Sequence, residues 1–196
     1  MIPILILAGG GSTRMRGRDK LLEPVGGVPL LRRLAEQALA TGQPVFVALP
    51  APDHPRQAVL AGLELTVLII PEAAEGMSGT MRGAVRQLPD CAAFMMVLGD
   101  LVAIGTAEML AILAARDDNP AHLIWRGATT NGRPGHPIIF DSTLRPAFDA
   151  LTGDGGGETL VNPLKDQTHL TQFADDRARL DLDTPEDWAK WRRGAT

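Results

Sequence analysis

Short apolar runs alternate with stretches of helical periodicity along most of the chain. Apolar runs of four to six residues, the length of buried strands, lie at residues 2–7, 45–49, 66–70, 94–98 and 122–125. Between most of them, apolar residues recur every three or four positions, as on one face of a helix. Strands that alternate with helices indicate βαβ units and a parallel sheet. The pattern therefore predicts an α/β protein.

The clearest helix is predicted over residues 29–40. Its leucines and alanines fall on one stripe, its charged residues lie elsewhere, and Gly42 follows as a stop signal. The last helix begins at Thr184-Pro185-Glu186-Asp187, which offers an N-cap, a proline at the first helical position and two acids in the first turn. Residues 127–135 are predicted as a loop and residues 153–157 as a glycine-rich turn. This last helix is predicted over residues 185–193, and the other helices are predicted over residues 56–62, 79–88, 106–116 and 143–151.

The composition narrows the class of protein. With 196 residues, of which 45% are hydrophobic, the chain is expected to form one domain over residues 1–196. A net charge of −4 argues against binding to nucleic acid, which requires a basic surface. The apolar runs are too short to cross a membrane. Because Cys91 is the only cysteine and the first residues carry no basic segment, we expect no internal disulfide and a location in the cytoplasm.

The residues after the first predicted strand are the most informative of the chain. The segment Leu7-Ala8-Gly9-Gly10-Gly11-Ser12 is followed by Arg14 and Lys20. Successive glycines allow positive φ angles and a close approach of backbone N–H groups to an anion, and the two cations can bind phosphate oxygens. The segment therefore predicts a phosphate-binding loop, and its predicted ligand is a nucleoside triphosphate.

Two other glycine loops fit this sequence less well. A dinucleotide-binding loop requires a third glycine where Arg14 stands and a helix that begins at once. A Walker loop requires Lys-Ser or Lys-Thr after its last glycine, but Arg18 follows Gly17, and Leu21 follows Lys20. A surface turn without a ligand is the simplest alternative, and the two cations argue against it.

Carboxylates near the ends of predicted strands are candidates for a metal site. Ligands of open α/β sheets lie at the carboxyl ends of the strands, and Asp100 follows the run at 94–98. A carboxylate there suits Mg²⁺ beside bound phosphates. Asp181 and Asp183 alternate with leucines, so both are expected on one face of a short strand. Either could be the second metal ligand, and Asp183 could instead support the N-terminus of the last helix.

Six motifs follow one another in an order that resembles a known family. The motifs are Leu7 to Lys20 with Leu21-Leu22-Glu23-Pro24, Gly76-Met77-Ser78-Gly79-Thr80-Met81-Arg82-Gly83, Gly99-Asp100, Gly132-Arg133-Pro134-Gly135-His136-Pro137, Gly153-Asp154, and Asp181-Leu182-Asp183-Thr184-Pro185-Glu186-Asp187. Over most of its length the chain resembles the nucleotidyltransferases of molybdenum-cofactor biosynthesis, namely the molybdopterin cytidylyltransferases and guanylyltransferases. The resemblance implies a Rossmann-like three-layer α/β sandwich with a mostly parallel sheet, of the nucleotide-diphospho-sugar transferase type.

The resemblance also implies roles for individual residues. Arg14, Lys20 and Asp100 would be catalytic, and Asp100 and Asp183 would hold Mg²⁺. Ser78 is also expected to cap a helix that begins there. The acceptor would contact Gly135, His136 and Pro137. The nucleotide would contact Leu7, Ala8, Gly9, Gly10, Gly11, Ser12, Arg14, Lys20, Ser78 and Gly79.

The implied reaction transfers a nucleoside monophosphate from a triphosphate to molybdopterin and releases pyrophosphate. It needs positioning and charge stabilisation more than a protein nucleophile. Leu7-Ala8-Gly9-Gly10 is typical of the guanylyl enzymes, whereas Gly135-His136-Pro137 favours the cytidylyl branch. CTP is therefore the predicted donor and GTP the alternative. A sugar phosphate or another phosphorylated acceptor is a further alternative, as is a non-catalytic chaperone that delivers the cofactor to a client molybdoenzyme.

Overall fold

The computed structural model describes residues 1–153 and 155–194. The strands in this part of the chain are β1 (Ile4–Leu7), β2 (Pro24–Val25), β3 (Val28–Pro29), β4 (Val45–Leu49), β5 (Thr66–Ile69), β6 (Ala93–Leu98), β7 (Ile124–Ala128), β8 (Pro134–Asp141) and β9 (Thr168–Gln172). The α-helices are α1 (Leu30–Leu39), α2 (Pro55–Ala58), α3 (Met77–Gln87), α4 (Thr106–Asp118), α5 (Arg145–Phe148), α6 (Glu158–Val161) and α7 (Pro185–Gly194). Within the described residues, no helix combines the length and the apolar character needed to cross a membrane.

Seven of the described strands form one sheet in the order β5-β4-β1-β6-β8-β7-β9. Parallel pairing joins β5, β4, β1 and β6, and it also joins β7 and β9. Strand β8 lies between β6 and β7 and runs antiparallel to both. The hairpin of β2 and β3 stands apart from this sheet. The prediction of a mostly parallel sheet is confirmed.

Different helices cover the two faces of the sheet. In β1, Ile4 and Ile6 belong to a core cluster with apolar residues of α1 and α4. Leu5 and Leu7 belong to a second cluster, with apolar residues of α3 and with Phe148 of α5. Alternate residues of a strand point to opposite faces, so the two clusters lie on opposite sides of the sheet. The predicted three-layer α/β sandwich is confirmed.

The predicted elements differ from the structure mainly in the second half of the chain. The run predicted at 122–125 corresponds to β7, which continues through Arg126 and Gly127. The loop predicted over 127–135 is wrong at both ends, because these ends belong to β7 and β8. Strands β8 and β9 have no counterpart among the predicted elements. The helix predicted over 143–151 is a 3₁₀ turn followed by the single turn of α5.

Candidate active site

The glycine loop connects the end of β1 to a 3₁₀ turn. A left-handed backbone conformation occurs at Ser12 (φ 50°) and Arg16 (φ 53°), and not at the glycines 9–11. The expectation of positive φ at these three glycines is therefore wrong. Close packing explains the first of them, because a Cβ atom on Gly9 would lie 2.8 Å from Oγ1 of Thr80.

A buried arginine, Arg56 of α2, holds the loop in place. Its two Nη atoms donate to the carbonyl oxygens of Ala8 at 2.6 Å and Gly10 at 2.7 Å. Its Nε and Nη2 atoms donate to the two carboxylate oxygens of Asp19 at 2.7 and 2.8 Å. Burial raises the pKa of Asp19, but the hydrogen bonds and the charge of Arg56 leave that pKa below its ordinary value. Both ends of the loop are thus tied to one guanidinium.

The loop amides stay available as a result. Arg56 occupies the carbonyl oxygens of Ala8 and Gly10, and no hydrogen bond among the described residues uses the amides of Gly10, Gly11 or Ser12. Gly10, Gly11 and Ser12 line a cavity. Unpaired N–H groups along a concave loop form an anion-binding site.

Lys20 lies at the centre of a cluster of charges beside this loop. Its Nζ atom donates to Oδ2 of Asp100 at 2.5 Å and to Oδ1 of Asp183 at 2.8 Å. Arg14 contacts the other carboxylate oxygen of Asp183 at 2.8 Å through Nη2. Burial lowers the pKa of Lys20, but the two carboxylates outweigh burial and raise that pKa above its ordinary value. The fold thus brings together four charged residues from three segments that are far apart in the sequence.

Asp100 has a free acceptor of the kind a metal ion uses. Its Oδ1 atom is buried and has no hydrogen-bond partner among the described residues. Mg²⁺ typically takes one or two carboxylates together with phosphate oxygens and water, so Asp100 and Asp183 fit such an ion beside a bound triphosphate. A dedicated cluster of three or more acidic, histidine or cysteine side chains does not occur in the described part of the chain. The donor set therefore suits a metal that arrives with phosphate.

The other candidate metal ligand, Asp181, borders this cluster and interacts with Asp183. It lines a neighbouring cavity, while Asp183 contacts Lys20. Burial, followed by the charges of Asp183 and Asp100, raises the pKa of Asp181. The short strand expected for Asp181 and Asp183 is reduced to one isolated bridge between Leu101 and Asp181.

Two adjoining cavities lie at this edge of the sheet. The smaller, of about 210 Å³, is lined by the glycine loop and by Arg14, Lys20, Asp100 and Asp183. The larger, of about 750 Å³, extends over β7 and β8 and has a largely apolar wall. Methionine and leucine side chains at positions 77 and 98 belong to both walls. The cavities therefore offer neighbouring places for two ligands, and the smaller one favours phosphate.

The predicted acceptor-binding residues lie at the larger cavity. Gly135 and His136 line it, and Pro137 is buried behind them. The peptide bond between His136 and Pro137 is cis. Burial, followed by the charge of Arg126, lowers the pKa of His136 to about 4. The imidazole is therefore neutral near pH 7, so one of its ring nitrogens can donate a hydrogen bond and the other can accept one.

Several predicted nucleotide-binding residues do not line the smaller cavity. Ala8 and Gly9 precede the part of the loop that does. Ser78 is buried and donates from Oγ to the carbonyl oxygen of Thr152 at 3.2 Å. Helix α3 has Gly76 in its N-cap position, so the prediction that Ser78 caps this helix is wrong.

Glycine is required at position 79 for a structural reason that does not involve a ligand. A Cβ atom at this position would lie 2.0 Å from the carbonyl oxygen of Glu72, so only glycine fits. Leu7 of the predicted set does line the smaller cavity. The remaining motif residue, Asp154, lies outside the described residues.

Three arginines that shape the site are absent from the predicted site residues. Arg56 supports the glycine loop, and Arg126 and Arg179 line the larger cavity. The sequence offers a hint of two of these site arginines. Arg56 lies soon after the predicted strand at 45–49, and Arg126 interrupts an otherwise apolar strand. Each side chain acts on residues distant in the sequence, which periodicity alone does not reveal.

Comparison with known proteins places the chain in a family. The model of the MobA-like NTP transferase domain matches residues 4–170. The chain belongs to this family. Family membership supports nucleotidyltransferase activity, and the charged cluster at the glycine loop of this NTP transferase domain is consistent with that activity.

Individual relatives agree with this assignment. The NTP transferase domain is 39% identical over 70 residues to a probable molybdenum cofactor guanylyltransferase of Nostoc sp., covering 36% of this chain and 31% of that protein. It is 31% identical over 119 residues to the bifunctional protein GlmU of Leifsonia xyli subsp. xyli, covering 58% of this chain and 24% of that protein. The matched segments thus span only 24% and 31% of the length of these curated relatives.

A solved structure matches nearly the whole chain. Rv0371c from Mycobacterium tuberculosis H37Rv is 25% identical, with a TM-score of 0.83, over 98% of this chain and 97% of that chain. A second structure of Rv0371c, in complex with manganese, has a TM-score of 0.77 over 96% of each chain. The chain therefore shares its fold with these solved proteins over nearly its whole length.

Proposed function

We propose that this chain transfers a nucleoside monophosphate from CTP to molybdopterin and releases pyrophosphate. The observation that carries the proposal is the contact of Lys20 with Asp100 and Asp183 beside the free amides of the glycine loop. This arrangement combines unpaired loop amides, a lysine cation and two carboxylates within one small cavity. The proposed setting is the cytoplasm, with a client molybdoenzyme as recipient of the product.

The triphosphate is proposed to occupy the smaller cavity. The amides of Gly10, Gly11 and Ser12 would bind the β- and γ-phosphates together with Arg14, whose side chain is 68% exposed and would exchange its ion pair with Asp183 for the phosphates. Lys20 would turn from the carboxylates toward the α-phosphate. Preorganised donors of this kind stabilise the charge that develops during transfer without a reorganisation of solvent.

Asp100 and Asp183 are the proposed holders of Mg²⁺. When bound, such an ion polarises phosphoryl oxygens and neutralises their charge. The residues of this chain would then have three tasks: orienting the triphosphate, keeping the acceptor phosphate in line with the leaving pyrophosphate, and excluding water. None of these tasks needs a protein nucleophile.

The larger cavity is the proposed place of the acceptor. It adjoins the smaller cavity and has an apolar wall that includes Met81, Ile138 and Phe140, with His136 at one side. A flat, partly apolar molecule with a charged group, such as a phosphorylated pterin, suits this wall better than a freely hydrated sugar. A sugar phosphate is the second candidate acceptor.

GTP is the second candidate donor. The loop begins with Leu7-Ala8-Gly9-Gly10, the form that resembles the guanylyl enzymes, and Gly9 packs against Thr80 without room for a larger residue. The segment Gly135-His136-Pro137 favours CTP. A non-catalytic chaperone is the alternative of another class, and it would bind the nucleotide without turnover.

Release of pyrophosphate is the decisive measurement. Each of CTP, GTP, ATP and UTP is supplied with Mg²⁺, with and without molybdopterin, and thermal unfolding is followed in parallel. A triphosphate at about a hundred times its Kd should raise the free energy of unfolding by about 2.7 kcal/mol. We expect selective stabilisation by CTP and acceptor-dependent release of pyrophosphate.

Matched variants separate the alternatives. Asp100→Asn should abolish pyrophosphate release, whereas Asp117→Asn, which removes an exposed carboxylate of α4, should leave it unchanged. Stabilisation by a triphosphate without turnover would favour the chaperone, and selective turnover of GTP would favour the guanylyl branch. Failure of every triphosphate to bind would contradict the proposal.

A further inference from the structure

One row of residues across the sheet changes from apolar to charged. Leu5 of β1 pairs with Met96 of β6, Met96 pairs with Ile138 of β8, and Ile138 pairs with Arg126 of β7. Paired residues of neighbouring strands point to the same face, and Leu5, Met96 and Ile138 belong to the apolar cluster on that face. Arg126 therefore projects where an apolar side chain would be expected, and it lines the larger cavity.

A second arginine is fixed beside the first. Nε of Arg126 donates to the carbonyl oxygen of Gly135 at 3.0 Å, and Nη1 of Arg179 donates to the carbonyl oxygen of Pro134 at 2.6 Å. These two acceptors are consecutive residues of β8. Each hydrogen bond leaves most N–H groups of its guanidinium free, since arginine carries five donors. Both guanidinium groups are therefore anchored to the start of β8, and both residues line the larger cavity.

Close backbone packing keeps this pair together. A Cβ atom on Gly135 would lie 2.2 Å from the carbonyl oxygen of Ala178. Only glycine allows the 3₁₀ turn Asp176–Arg179 to lie directly against β8, and this turn carries Arg179. The position of the second guanidinium is thus set by the backbone rather than by a flexible side chain alone.

The positive charge of the pair is not balanced by an ion pair. Within residues 1–153 and 155–194, neither Arg126 nor Arg179 forms a salt bridge. Burial, followed by the charge of Arg179, lowers the pKa of Arg126 to about 10, so the guanidinium is still protonated at neutral pH. Lys165 adds a third cation to the wall, and Glu158 and Asp181 are its carboxylates. Two like charges held this close are unfavourable unless an anion joins them.

We propose that Arg126 and Arg179 bind an oxyanionic group of the acceptor, with phosphate as the group that matches them. The inference rests on the proposed function for the identity of the acceptor, but the site is defined by its own geometry. Two forked guanidinium groups match the charge and the several oxygens of a phosphate dianion. The adjoining apolar wall would carry the uncharged part of the molecule. Neither arginine lines the smaller cavity, so this site is distinct from that of the triphosphate.

Calorimetric titration with phenyl phosphate tests the site. The protein is titrated alone and after saturation with Mg²⁺ and the triphosphate that stabilises it best, because the triphosphate occupies the anion site of the smaller cavity. Benzoate serves as the carboxylate probe and benzyl alcohol as the uncharged one. We expect phenyl phosphate to bind in both conditions, benzoate to bind more weakly, and benzyl alcohol to bind weakest.

Three variants decide whether the arginines are responsible. Arg179→Gln, which changes an exposed residue, and Arg126→Gln should each weaken phenyl phosphate about tenfold or more, since each removes hydrogen bonds to a charged group. Arg86→Gln removes the same charge from an exposed ion pair with Asp149 and should leave the affinity unchanged. Triphosphate binding should be the same in all three variants as in the parent, which also reports that they fold.

The outcomes separate this inference from the proposed function. Equal affinity for phenyl phosphate in the parent, Arg126→Gln and Arg179→Gln would overturn the inference, as would an equal loss in Arg86→Gln. Stronger binding of benzoate than of phenyl phosphate would overturn the choice of phosphate. A parent that binds phenyl phosphate through these arginines but binds no triphosphate would contradict only the proposed function.

Discussion

Arg56 donates to both carboxylate oxygens of Asp19, at 2.7 and 2.8 Å, and the same guanidinium holds the carbonyl oxygens of Ala8 and Gly10. Its side chain is only 2% exposed. A buried ion pair that also binds backbone carbonyls restricts a loop more than either partner alone. The glycine loop, which we propose binds phosphate, is therefore held in its shape before a ligand arrives, and the cost of ordering it on binding is reduced.

Replacing Arg56 should harm both the fold and the loop. Arg56→Gln leaves Asp19 without its partner, and we expect the free energy of unfolding in urea to fall by about 3 kcal/mol. Arg56→Lys keeps the charge but not the fork, so it should unfold less easily than Arg56→Gln and still bind triphosphate more weakly than the parent. A folded Arg56→Lys protein with parental triphosphate affinity would contradict the positioning role.

Lys20 should be essential for turnover. Lys20→Met removes the cation proposed to meet the α-phosphate, and the loss of one preorganised donor costs about 2.7–4 kcal/mol in the barrier. We expect kcat for pyrophosphate release to fall about a hundredfold or more, while triphosphate binding falls less. Lys190→Met on the exposed face of α7 is the matched control and should retain parental kcat.

Removal of metal should stop the reaction without unfolding the protein. Lys20 and Arg14 already balance the charges of Asp100 and Asp183, so the site does not depend on a cation to remain assembled. We expect EDTA to abolish pyrophosphate release and to leave Tm unchanged. Activity should return on addition of Mg²⁺ or Mn²⁺. A large decrease of Tm in EDTA would mean that a metal has a structural role.

The contact of Gly9 with Thr80 predicts a pair of coupled substitutions. A Cβ atom on Gly9 would lie 2.8 Å from Oγ1 and 3.0 Å from Cγ2 of Thr80. Gly9→Ala should therefore lower the free energy of unfolding by about 1–3 kcal/mol, as overpacking does. In a Thr80→Ala background the same change should cost clearly less, and a double-mutant cycle measures the difference. Additive effects would show that the crowding has another source.

His136 should make the stability depend on pH in the acidic range. Burial, and then the nearby Arg126, lowers its pKa to about 4 from an ordinary value of 6.5, while the charge of Asp100 acts in the opposite sense. Because the unfolded chain binds a proton at this residue and the folded chain does not, stability should fall as the pH decreases from 6.5 to about 4. In His136→Gln, the free energy of unfolding should fall less between pH 6.5 and about 4 than it does in the parent, when each protein is compared with its own stability at pH 7 to 8. A curve of parental slope would contradict the assignment.

The first half of the fold follows closely from the sequence, for a physical reason. Strands β1, β4 and β6 are buried on both faces, so their sequences are unbroken apolar runs. Helices with a recognisable pattern lie between them. Helices α1 and α7 also carry clear signals at their starts or stops. The bounds predicted for these elements agree with the structure to within a few residues.

The second half follows less well because its strands have mixed composition. Strand β8 contains Pro134, His136 and Pro137, and its antiparallel position between β6 and β7 depends on pairing that no local pattern expresses. Strand β9 is a partly exposed edge strand with few apolar residues. Arg126 lines a cavity and is not part of the core, so its charge interrupts the apolar pattern of β7. The sequence pattern therefore does not predict that β7 continues past residue 125.

The residues of the site also divide into those that the sequence predicts and those that it does not. The charged residues Lys20, Asp100 and Asp183 could be named from the order of the motifs along the chain, and the structure brings them into contact. The residues that support or extend the site could not. Arg56 and Arg179 act through backbone carbonyls of segments 45 or more positions away, and such contacts follow from the tertiary fold alone.

The approach of Gly135 to the Ala178 carbonyl has a consequence for the evolution of acceptor choice. Two segments of main chain, rather than two side chains, define this part of the cavity wall, and no residue larger than glycine fits between them. Substitutions at the neighbouring positions 126 and 179 can therefore alter the chemistry of the wall without moving its frame. A domain built in this way can acquire a new acceptor by exchanging a few side chains while its nucleotide loop and its sheet stay the same.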